Sequence, residues 1–407
     1  MSATQNTIPK DWQEVRLGDI ATITRGGSPR PIESFITDEK DGLNWLRIGD
    51  IEASAKYITH TSQKIKKEGL SKTTLVKNGD FILSNSMSFG RPYIMKTEAC
   101  IHDGWLAFKD IKLNIVNIEF LYYLFESDLL QNNFKTIAAG SGVKNLKKES
   151  VSNIFVDIPL ISEQKKIAEI LSNIDLEIGK IKEIISQLEK LKDGILREIF
   201  TTGINHKNFK KTKIGNIPVE WDVKRLEEVV FFENGKAHEN FIDDNGNFIV
   251  VNSKFIAQNG EVVKRTNKGL KILNKGDIAI VMSDIPRGKA LAKCFFVDED
   301  NKYTLNQRIG LLRPLGSYSK YFFYFLNRNK YFLNFSNETS QTNLRKQQVL
   351  DCPIAIPPVS EQEKIAEIIL SIDEKLSINI LYKEKLLELK KGLSQDLLTG
   401  KVRTINS

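Results

Sequence analysis

The stretch SEQKKIAEI at residues 162–170 decides how this chain is organised, because it occurs twice. Ser360 begins a second copy, SEQEKIAEI, which differs from the first at one position. Each copy opens a long segment with apolar residues at helical spacing, and the two segments end in Thr-Gly, at Gly203 and Gly400. A repeat on this scale predicts an internally duplicated fold.

A globular segment precedes each long helical segment, and the two begin alike. IPKDW at residues 8–12 corresponds to IPVEW at 217–221, and short β-branched and aromatic runs broken by Gly, Asn, Asp and Pro follow, as in strands joined by turns. We predict an α+β protein with a pseudo-two-fold repeat, in which two mixed α/β domains are separated by two long antiparallel coiled-coil helices. The predicted order is a first head at 1–157, a first helix at 158–203, an exposed linker at 204–216, a second head at 217–355, and a second helix with its tail at 356–407.

The two predicted helices carry heptad seams. In the first helix the seam runs from Ile167 to Ile195 with a lapse at Lys192. In the second helix Asn379 and Lys383 stand on the seam, so we expect the seam to drift there as at a stutter. Ser162 is predicted to cap the first helix, and Ser360 with Glu363 has the spacing of a capping box. About 36 residues at ~1.5 Å each give a helix of roughly 55 Å. Because each head precedes its own helix, antiparallel packing would separate the heads.

A further apolar row lies beside the seam of the first helix. Two-stranded coiled coils do not need a third row, whereas bundles do. We interpret Ile170, Ile184 and Leu191 as a docking face for helices of other subunits. The alternative is that these residues are buried against the heads of the same chain.

The composition favours a polyanionic partner. Among 407 residues, 59 Lys and Arg exceed 51 Asp and Glu, which gives a formal charge of +8. Three cysteines without CxxC spacing indicate neither a disulfide framework nor a zinc site. No apolar run approaches the roughly 18–20 residues that cross a bilayer, so we expect a cytoplasmic protein without membrane contact.

No catalytic pattern is present in the sequence. The Gly-Lys pairs lack the remainder of a P-loop, no GxGxxG follows a predicted strand, and the four histidines form no HExxH. We therefore predict a non-catalytic chain that binds no cofactor or metal itself.

The repeated motifs resemble those of the specificity subunits of type I restriction-modification systems, over nearly the whole chain. The residues that carry the resemblance are RGGSP at 25–29, WLRIGDI at 45–51, NLKK at 145–148, NLRK at 343–346 and the two Ser-Glu-Gln helix starts. The resemblance implies two target recognition domains that read a bipartite double-stranded DNA target. It also implies two methyltransferase subunits, which would supply S-adenosylmethionine and catalysis, and restriction subunits that act as motor and nuclease.

Two alternatives to this interpretation stay open on the sequence. One is the specificity subunit of another restriction class, with a fused methyltransferase-nuclease partner. The other is a protein-interaction scaffold that binds no DNA. Under the DNA-binding interpretation, contacts should come from Arg, Lys, Asn, Gln and Ser in loops. The candidates are Arg25, Arg30, Asn85, Ser86, Arg91 and Lys144 in the first head, and Lys254, Arg265, Arg287, Lys289, Gln341 and Arg345 in the second.

Overall fold

The structure is a computed structural model that describes residues 9–51, 55–86, 89–139, 145–285, 290–336 and 341–404. It divides into two units. Unit 1 comprises Met1–Lys182 with Leu381–Ser407, and unit 2 comprises Glu183–Ile380. Each unit therefore combines one head with a part of each long helix, as an internal duplication predicts.

Unit 1 contains twelve strands and four short helices among its described residues. The strands are β1 (Gln13–Arg16), β2 (Thr22–Arg25), β3 (Ile36–Thr37), β4 (Leu43–Leu46), β5 (Tyr57–Ile58), β6 (Gln63–Ile65), β7 (Thr74–Val76), β8 (Phe81–Ser84), β9 (Pro92–Met95), β10 (Ala99–Ile101), β11 (Trp105–Lys109) and β12 (Phe155–Ile158). The short helices are α1 (Leu17–Ile20), α2 (Ile118–Glu126), α3 (Asp128–Ala139) and α4 (Lys148–Ser152), with 3₁₀ turns at Ile32–Ser34, Ile48–Asp50 and Lys67–Lys72. The first long helix, α5, spans Ile161–Thr202 and continues into unit 2.

Unit 2 repeats this plan with shorter sheets. Its strands are β13 (Phe209–Thr212), β14 (Gly215–Pro218), β15 (Asp222–Arg225), β16 (Val230–Asn234), β17 (Phe248–Val251), β18 (Arg265–Thr266), β19 (Ile278–Val281), β20 (Ser283–Asp284), β21 (Cys294–Phe296), β22 (Tyr303–Leu305), β23 (Ile309–Pro314), β24 (Thr342–Asn343) and β25 (Pro353–Ile356). Its short helices are α6 (Ser253–Ala257), α7 (Ser319–Leu326), α8 (Lys330–Leu333) and α9 (Lys346–Leu350), with 3₁₀ turns at Leu226–Glu228 and Glu239–Phe241. The second long helix, α10, spans Val359–Leu398 and ends in unit 1.

The sheets show the duplication directly. Unit 1 has two five-stranded sheets, in the orders β3-β6-β4-β10-β7 and β2-β11-β8-β9-β5, and a ribbon of β1 with β12. Unit 2 has sheets in the orders β18-β17-β22 and β16-β23-β19-β21, and a ribbon of β15 with β25. In both heads a parallel pair, β4 with β10 and β17 with β22, lies in the first of these sheets. The mixed α/β heads predicted from the sequence are thus confirmed.

The core of each head is built against an aromatic helix. In unit 1 every residue from Phe120 to Phe125 in α2 is buried, and the rings of Phe81, Phe108 and Phe125 meet edge to face with centroids 5.0–5.5 Å apart. Such ring pairs add to the burial of apolar area. The same cluster includes Ile167 and Leu171 of α5, so the head and the start of the long helix share one core.

Within each unit the two helix segments run antiparallel. In unit 1, Glu163 at the start of α5 pairs with Arg403 at 2.8 Å, and Asp175, twelve residues further on, pairs with Lys390 at 2.7 Å. In unit 2, Lys192 of α5 pairs with Asp373 of α10 at 2.5 Å. Residue numbers rise along one helix as they fall along its neighbour, which confirms the predicted antiparallel pairing.

The seam of α10 does not drift, so the expected stutter is wrong. Asn379 and Lys383 are half-buried on the seam and Leu386 is buried after them, whereas Ile380 and Leu387 are exposed beside it. Asn379 Nδ2 donates to the Lys375 carbonyl at 2.8 Å, so this polar side chain is satisfied within its own helix. On α5, the apparent lapse at Lys192 is the position that forms the ion pair with Asp373.

The predicted serine caps are also wrong, since α5 begins at Ile161 and α10 at Val359, one residue before each serine. The glutamine of each Ser-Glu-Gln motif secures the helix start instead. The buried Gln164 side chain accepts from the backbone N–H of Asn117 at 2.8 Å and donates to the carbonyls of Ile115 and Pro159 at 2.9 Å each. Gln362 likewise accepts from the Tyr318 N–H at 3.1 Å and donates to Pro357 at 2.9 Å.

The glutamate of each motif receives the end of the opposite repeat. The buried Glu163 accepts from Arg403 Nε and Nη2 at 2.9 and 2.8 Å. Glu361 accepts from Trp221 Nε1 at 2.9 Å and lies 2.8 Å from His206 Nε2. Ser-Glu-Gln therefore occurs twice because each copy ties a helix to its head and to the chain that follows the other helix.

The predicted linker at 204–216 is more ordered than a simple exposed connector. Strand β13 pairs with β14 in an antiparallel hairpin, with Phe209 opposite Pro218. Sequence reasoning missed this hairpin because its lysines masked the short alternation of exposed and half-buried residues in β13.

Candidate nucleic-acid interface

A concave site lies in the first head where three separated segments meet. We call it cleft 1 and define it by Arg25 at the end of β2, Asn85 after β8, and residues 145–149 before and in α4. Its volume is 530 Å³. Three backbone hydrogen bonds build it: Leu146 N–H donates to Asn85 at 2.9 Å, Asn85 N–H to Gly104 at 2.9 Å, and Gly26 N–H to Trp105 at 2.9 Å.

The floor of cleft 1 is held by the backbone of Asp103. The carbonyl of Asp103 accepts from Arg25 Nε at 2.9 Å and from Asn85 Nδ2 at 3.1 Å. Asn85 is only 1% exposed, and its Oδ1 has no hydrogen-bond partner among the described residues. Arg25 is exposed, and its Nη2 lies 3.8 Å from the Asp103 carboxylate.

The second head contains the corresponding site, which we call cleft 2. It is lined by Asn234 at the end of β16, Met282 and Ser283 after β19, Gln307 and Arg308 before β23, and Gln341, Asn343, Leu344 and Lys346 around β24 and α9. The backbone frame is the same as in cleft 1: Leu344 N–H donates to Met282 at 2.7 Å, Met282 N–H to Arg308 at 3.1 Å, and Gly235 N–H to Ile309 at 3.1 Å.

The matching hydrogen bonds align the two clefts residue by residue. Asn145 corresponds to Asn343 and Lys148 to Lys346, so these positions keep their residue types. By contrast, Arg25 corresponds to Asn234, Asn85 to Met282, and Gly104 to Arg308. The two clefts therefore have one backbone frame, a shared pair of polar residues, and different side chains elsewhere.

A glycine at the same place in both heads permits this frame. A Cβ on Gly26 would lie 2.0 Å from the carbonyl oxygen of His102, and a Cβ on Gly235 would lie 2.1 Å from that of Asn306. The strand ends β2 and β16 can approach the loops before β11 and β23 only without a side chain there.

The structure brings some of the predicted DNA contacts together. Arg25 and Asn85 line cleft 1, and Ser86 follows Asn85 as a half-buried residue. Gln341 lines cleft 2, where its Nε2 donates to Ser283 Oγ at 2.7 Å. Arg345 is exposed at the N-terminal end of α9, within the motif that borders cleft 2.

Other predicted contacts lie outside the clefts. Arg30 and Lys254 line neighbouring pockets, Arg91 is exposed at the start of the strand β9, and Arg265 lies on β18 with its guanidinium 3.4 Å from the Gly246 carbonyl. Lys144, Arg287 and Lys289 fall outside the described residues. All twelve assignments stay predictions.

Several cleft residues were missed by sequence reasoning. They are Asn145, Lys147 and Lys148 in cleft 1, and Asn234, Ser283, Gln307, Arg308, Asn343 and Lys346 in cleft 2. The repeated Asn-Leu motif was the available signal, since it was recognised as a motif but not used to place contacts. Arg308 had no such signal, because its counterpart in the first head is a glycine.

The three residues of the predicted docking row on α5 differ in burial. Ile170 is partly buried against the core of the first head, whereas Ile184 is 40% and Leu191 50% exposed. Further exposed apolar side chains stand on the long helices. They are Leu176 on α5 and Ile368, Ile378, Ile380, Leu381, Tyr382, Leu387 and Leu389 on α10.

No cluster of three or more His, Cys, Asp or Glu side chains suited to a metal ion occurs in the part of the chain that the structure describes. Within the same residues, none of the helices combines the length and hydropathy needed to cross a membrane. Burial raises the pKa of the Cys100 thiol to about 11 and that of Cys352 to about 12, so neither is an activated nucleophile.

Comparison with known proteins agrees with the duplicated architecture. Residues 9–190 and 218–390 each match the family model described as the type I restriction modification DNA specificity domain. The chain belongs to this family. The MjaVIII specificity subunit of Methanocaldococcus jannaschii is 28% identical over 423 aligned positions, which cover 98% of this chain and 95% of that relative. The EcoKI specificity subunit of Escherichia coli is 22% identical over a stretch that covers 50% of this chain and 45% of that subunit.

Solved structures share the fold of this specificity chain. One, reported as the structural basis of complex assembly and conformational transition of the type I R-M system, superposes with a TM-score of 0.59 at 16% identity, covering 97% of this chain and 100% of its own. The S subunit of a type I system from M. genitalium gives a TM-score of 0.55 at 14% identity, covering 97% and 98%. The family predicted from the repeated motifs is thereby confirmed.

Proposed function

We propose that this chain is the sequence-specificity subunit of a type I restriction-modification complex, in which cleft 1 reads one half of a bipartite double-stranded DNA target and cleft 2 reads the other. The observation that supports the proposal is the pair of clefts with one backbone frame and different side chains. A duplicated frame that presents different side chains suits two unlike half-sites.

The shared and divergent cleft residues suit different roles. Phosphate contacts position a protein on DNA without reading sequence, whereas contacts to base edges specify it. Asn145 with Lys148, and Asn343 with Lys346, are the same in both clefts and suit the phosphate backbone. Arg25 and Arg308 stand at non-equivalent positions of the two frames, and each can bind the O6 and N7 acceptors of a guanine.

The exposed apolar residues of the long helices suit the docking of partner subunits. Exposed apolar residues that recur along two long helices suit contacts with other proteins. We assign Ile184 and Leu191, with the exposed residues of α10, to contacts with two methyltransferase subunits. Those subunits would hold S-adenosylmethionine and perform the transfer, and restriction subunits would join the complex. The chain itself would be non-catalytic and act in the cytoplasm, where the DNA is.

Methylome sequencing of cells with and without this chain tests the function. The expected result is a split motif with modified bases in both halves that disappears when the gene is deleted. A methylome that is unchanged by deletion, in cells that contain the methyltransferase, would refute the proposal.

Salt dependence provides an independent test against a protein scaffold that binds no DNA. Binding of the complex to a duplex that carries the motif should weaken steeply between 50 and 200 mM salt, because each phosphate contact releases counterions. If the complex has no measurable affinity for DNA, or binds the motif and a scrambled duplex equally well, the scaffold interpretation would be favoured instead.

A further inference from the structure

A pocket of 880 Å³ lies beside cleft 1 in the first head. Its walls are largely apolar, and the apolar residues that line it are Pro29, Pro31, Ile32, Ile36 and Trp45. Polar residues, among them Gln63, His102 and Arg30, form the remainder of the lining. We call it the Trp45 pocket. Apolar walls with a few polar groups are typical of sites for small planar ligands.

Six polar residues line the Trp45 pocket, namely Ser28, Arg30, Glu33, Arg47, Gln63 and His102. Two of them suit a nucleotide: His102 as a neutral donor and Arg30 as a cation. The backbone N–H of Gly104 donates to His102 Nδ1 at 2.8 Å, which places the imidazole proton on Nε2. Burial lowers the pKa of His102, against the opposing effect of Asp103, so the ring is neutral at pH 7. Arg30 is exposed and has no ion pair among the described residues, whereas Arg47 is bound to Asp50 at 3.0 Å. A planar ring with an acceptor, linked to one phosphate, matches this set.

The Trp45 pocket and cleft 1 share a wall. Asp103 follows His102 directly, and its carboxylate accepts from Ser28 Oγ of the pocket at 2.9 Å. The carbonyl of the same residue accepts from Arg25 and Asn85 of the cleft. The Trp45 pocket is therefore adjacent to cleft 1.

Among the described residues of the second head, the equivalent space is smaller. Strand pairing aligns Trp45 with Val250, Gln63 with Lys264, and His102 with Asn306. The corresponding pocket has a volume of 350 Å³ and is lined by Val250, Lys264 and Asn306. There Glu239 accepts from Asn306 at 3.3 Å and from Gln307 at 3.0 Å, which holds these side chains together.

We propose that the Trp45 pocket receives one extrahelical nucleotide of the half-site bound by cleft 1. Its base would lie among the proline and isoleucine residues, Trp45 and His102, with an acceptor on His102 Nε2 and a flanking phosphate on Arg30. Aromatic side chains commonly receive unstacked bases in this way. This inference rests on the proposed function, since it requires DNA on cleft 1.

The test uses the full chain with its methyltransferase subunits, and duplexes in which 2-aminopurine replaces each base of the motif in turn. Its fluorescence rises when the base leaves the stack. We expect one position in the first half-site to brighten severalfold on binding, and Gln63→Phe, which fills the pocket, to abolish that rise. The matched variant Lys264→Phe in the second head should leave it intact.

The outcomes separate this inference from the proposed function. Normal motif-specific binding without a Gln63→Phe-sensitive fluorescence rise in the first half-site would overturn the pocket assignment and leave the DNA function standing. A rise that Gln63→Phe leaves unchanged would place the extrahelical base on the methyltransferase and likewise overturn it. Saturable quenching of tryptophan fluorescence by a free nucleoside monophosphate, without any extrahelical base in DNA, would assign the pocket to a free nucleotide instead. Absence of motif-specific binding would contradict the proposed function itself.

Discussion

Replacement of Lys390 by Met should destabilise unit 1 through a specific network. Lys390 Nζ lies 2.7 Å from Asp175 and 3.4 Å from Glu126, and Asp175 also accepts from the Tyr123 hydroxyl at 2.8 Å. Burial alone would lower the pKa of Lys390, but Glu126 and Asp175 outweigh it and raise that pKa. The lysine is therefore charged at neutral pH and holds α10 to α5 and to the head.

The magnitude follows from partial burial. The side chains of Lys390 and Asp175 are 24% and 32% exposed, so this ion pair is intermediate between a surface pair and a buried pair. A surface pair contributes about 0–1 kcal/mol to stability, whereas breaking a buried pair costs about 3–5 kcal/mol. We expect a loss of about 2 kcal/mol in the free energy of unfolding. At about 2–4 °C per kcal/mol for a unit of this size, Tm should fall by roughly 4–8 °C.

A double-mutant cycle in chemical denaturation provides the assay. Asp175→Leu alone should also destabilise, but Lys390→Met with Asp175→Leu should cost clearly less than the sum of the two, because no charge is left unpaired. Lys192→Met is the matched variant in unit 2, where Asp373 lies 2.5 Å away. Additive losses, or a loss below about 0.5 kcal/mol for Lys390→Met, would refute the network.

Three further perturbations test other parts of the account. Gln164→Leu should lower the free energy of unfolding by about 2–4 kcal/mol, because it leaves the Asn117 N–H and the Ile115 and Pro159 carbonyls unpaired. Gln362→Leu removes two such bonds and should cost less. Equal and negligible losses for the two variants would contradict the anchoring role of these glutamines. Lys148→Ala and Lys346→Ala should each weaken binding to all DNA sequences alike and reduce the salt slope by about one, whereas a change in the methylated motif would show that they read bases. The hydrogen bond from Arg403 lowers the pKa of Asp11, so this pair stabilises the fold above the ordinary Asp pKa of about 3.9 and the effect is lost as pH falls through the lower folded value. Asp11→Asn should thus be less stable than wild type at pH 7 and approach it as pH falls through the lowered pKa of Asp11, and a difference that persists in acid would count against the Asp11 pair.

The sequence predicted the duplication and the antiparallel helices because both depend on local, repeated patterns. Apolar periodicity placed α5 and α10, and the order of head before helix implied opposite directions. Lys192 was interpreted as a lapse because its partner, Asp373, lies on the other helix and only the antiparallel register brings them together. The helix starts were misplaced for a related reason: Gln164 and Gln362 bond to loops that no spacing in the motif reveals.

The clefts could be predicted only in part. Each is assembled from segments far apart in the chain, such as Arg25, Asn85 and Asn145 in cleft 1, so no local motif contains it. Charged loop residues were the best available guide, and this guide favoured Arg265, which lies outside cleft 2, over Arg308, which lines it. Aligning the two heads by their backbone hydrogen bonds identifies the residues of cleft 2, including Arg308.

The most direct test of the central claim is the methylome of cells that carry Arg25→Ala or Arg308→Ala in this chain. If each head reads its own half-site, Arg25→Ala should relax one position in one half of the split motif, and Arg308→Ala should relax one position in the other half only. The account would be contradicted if either variant changed both halves of the motif. It would also be contradicted if methylation persisted and neither variant changed either half.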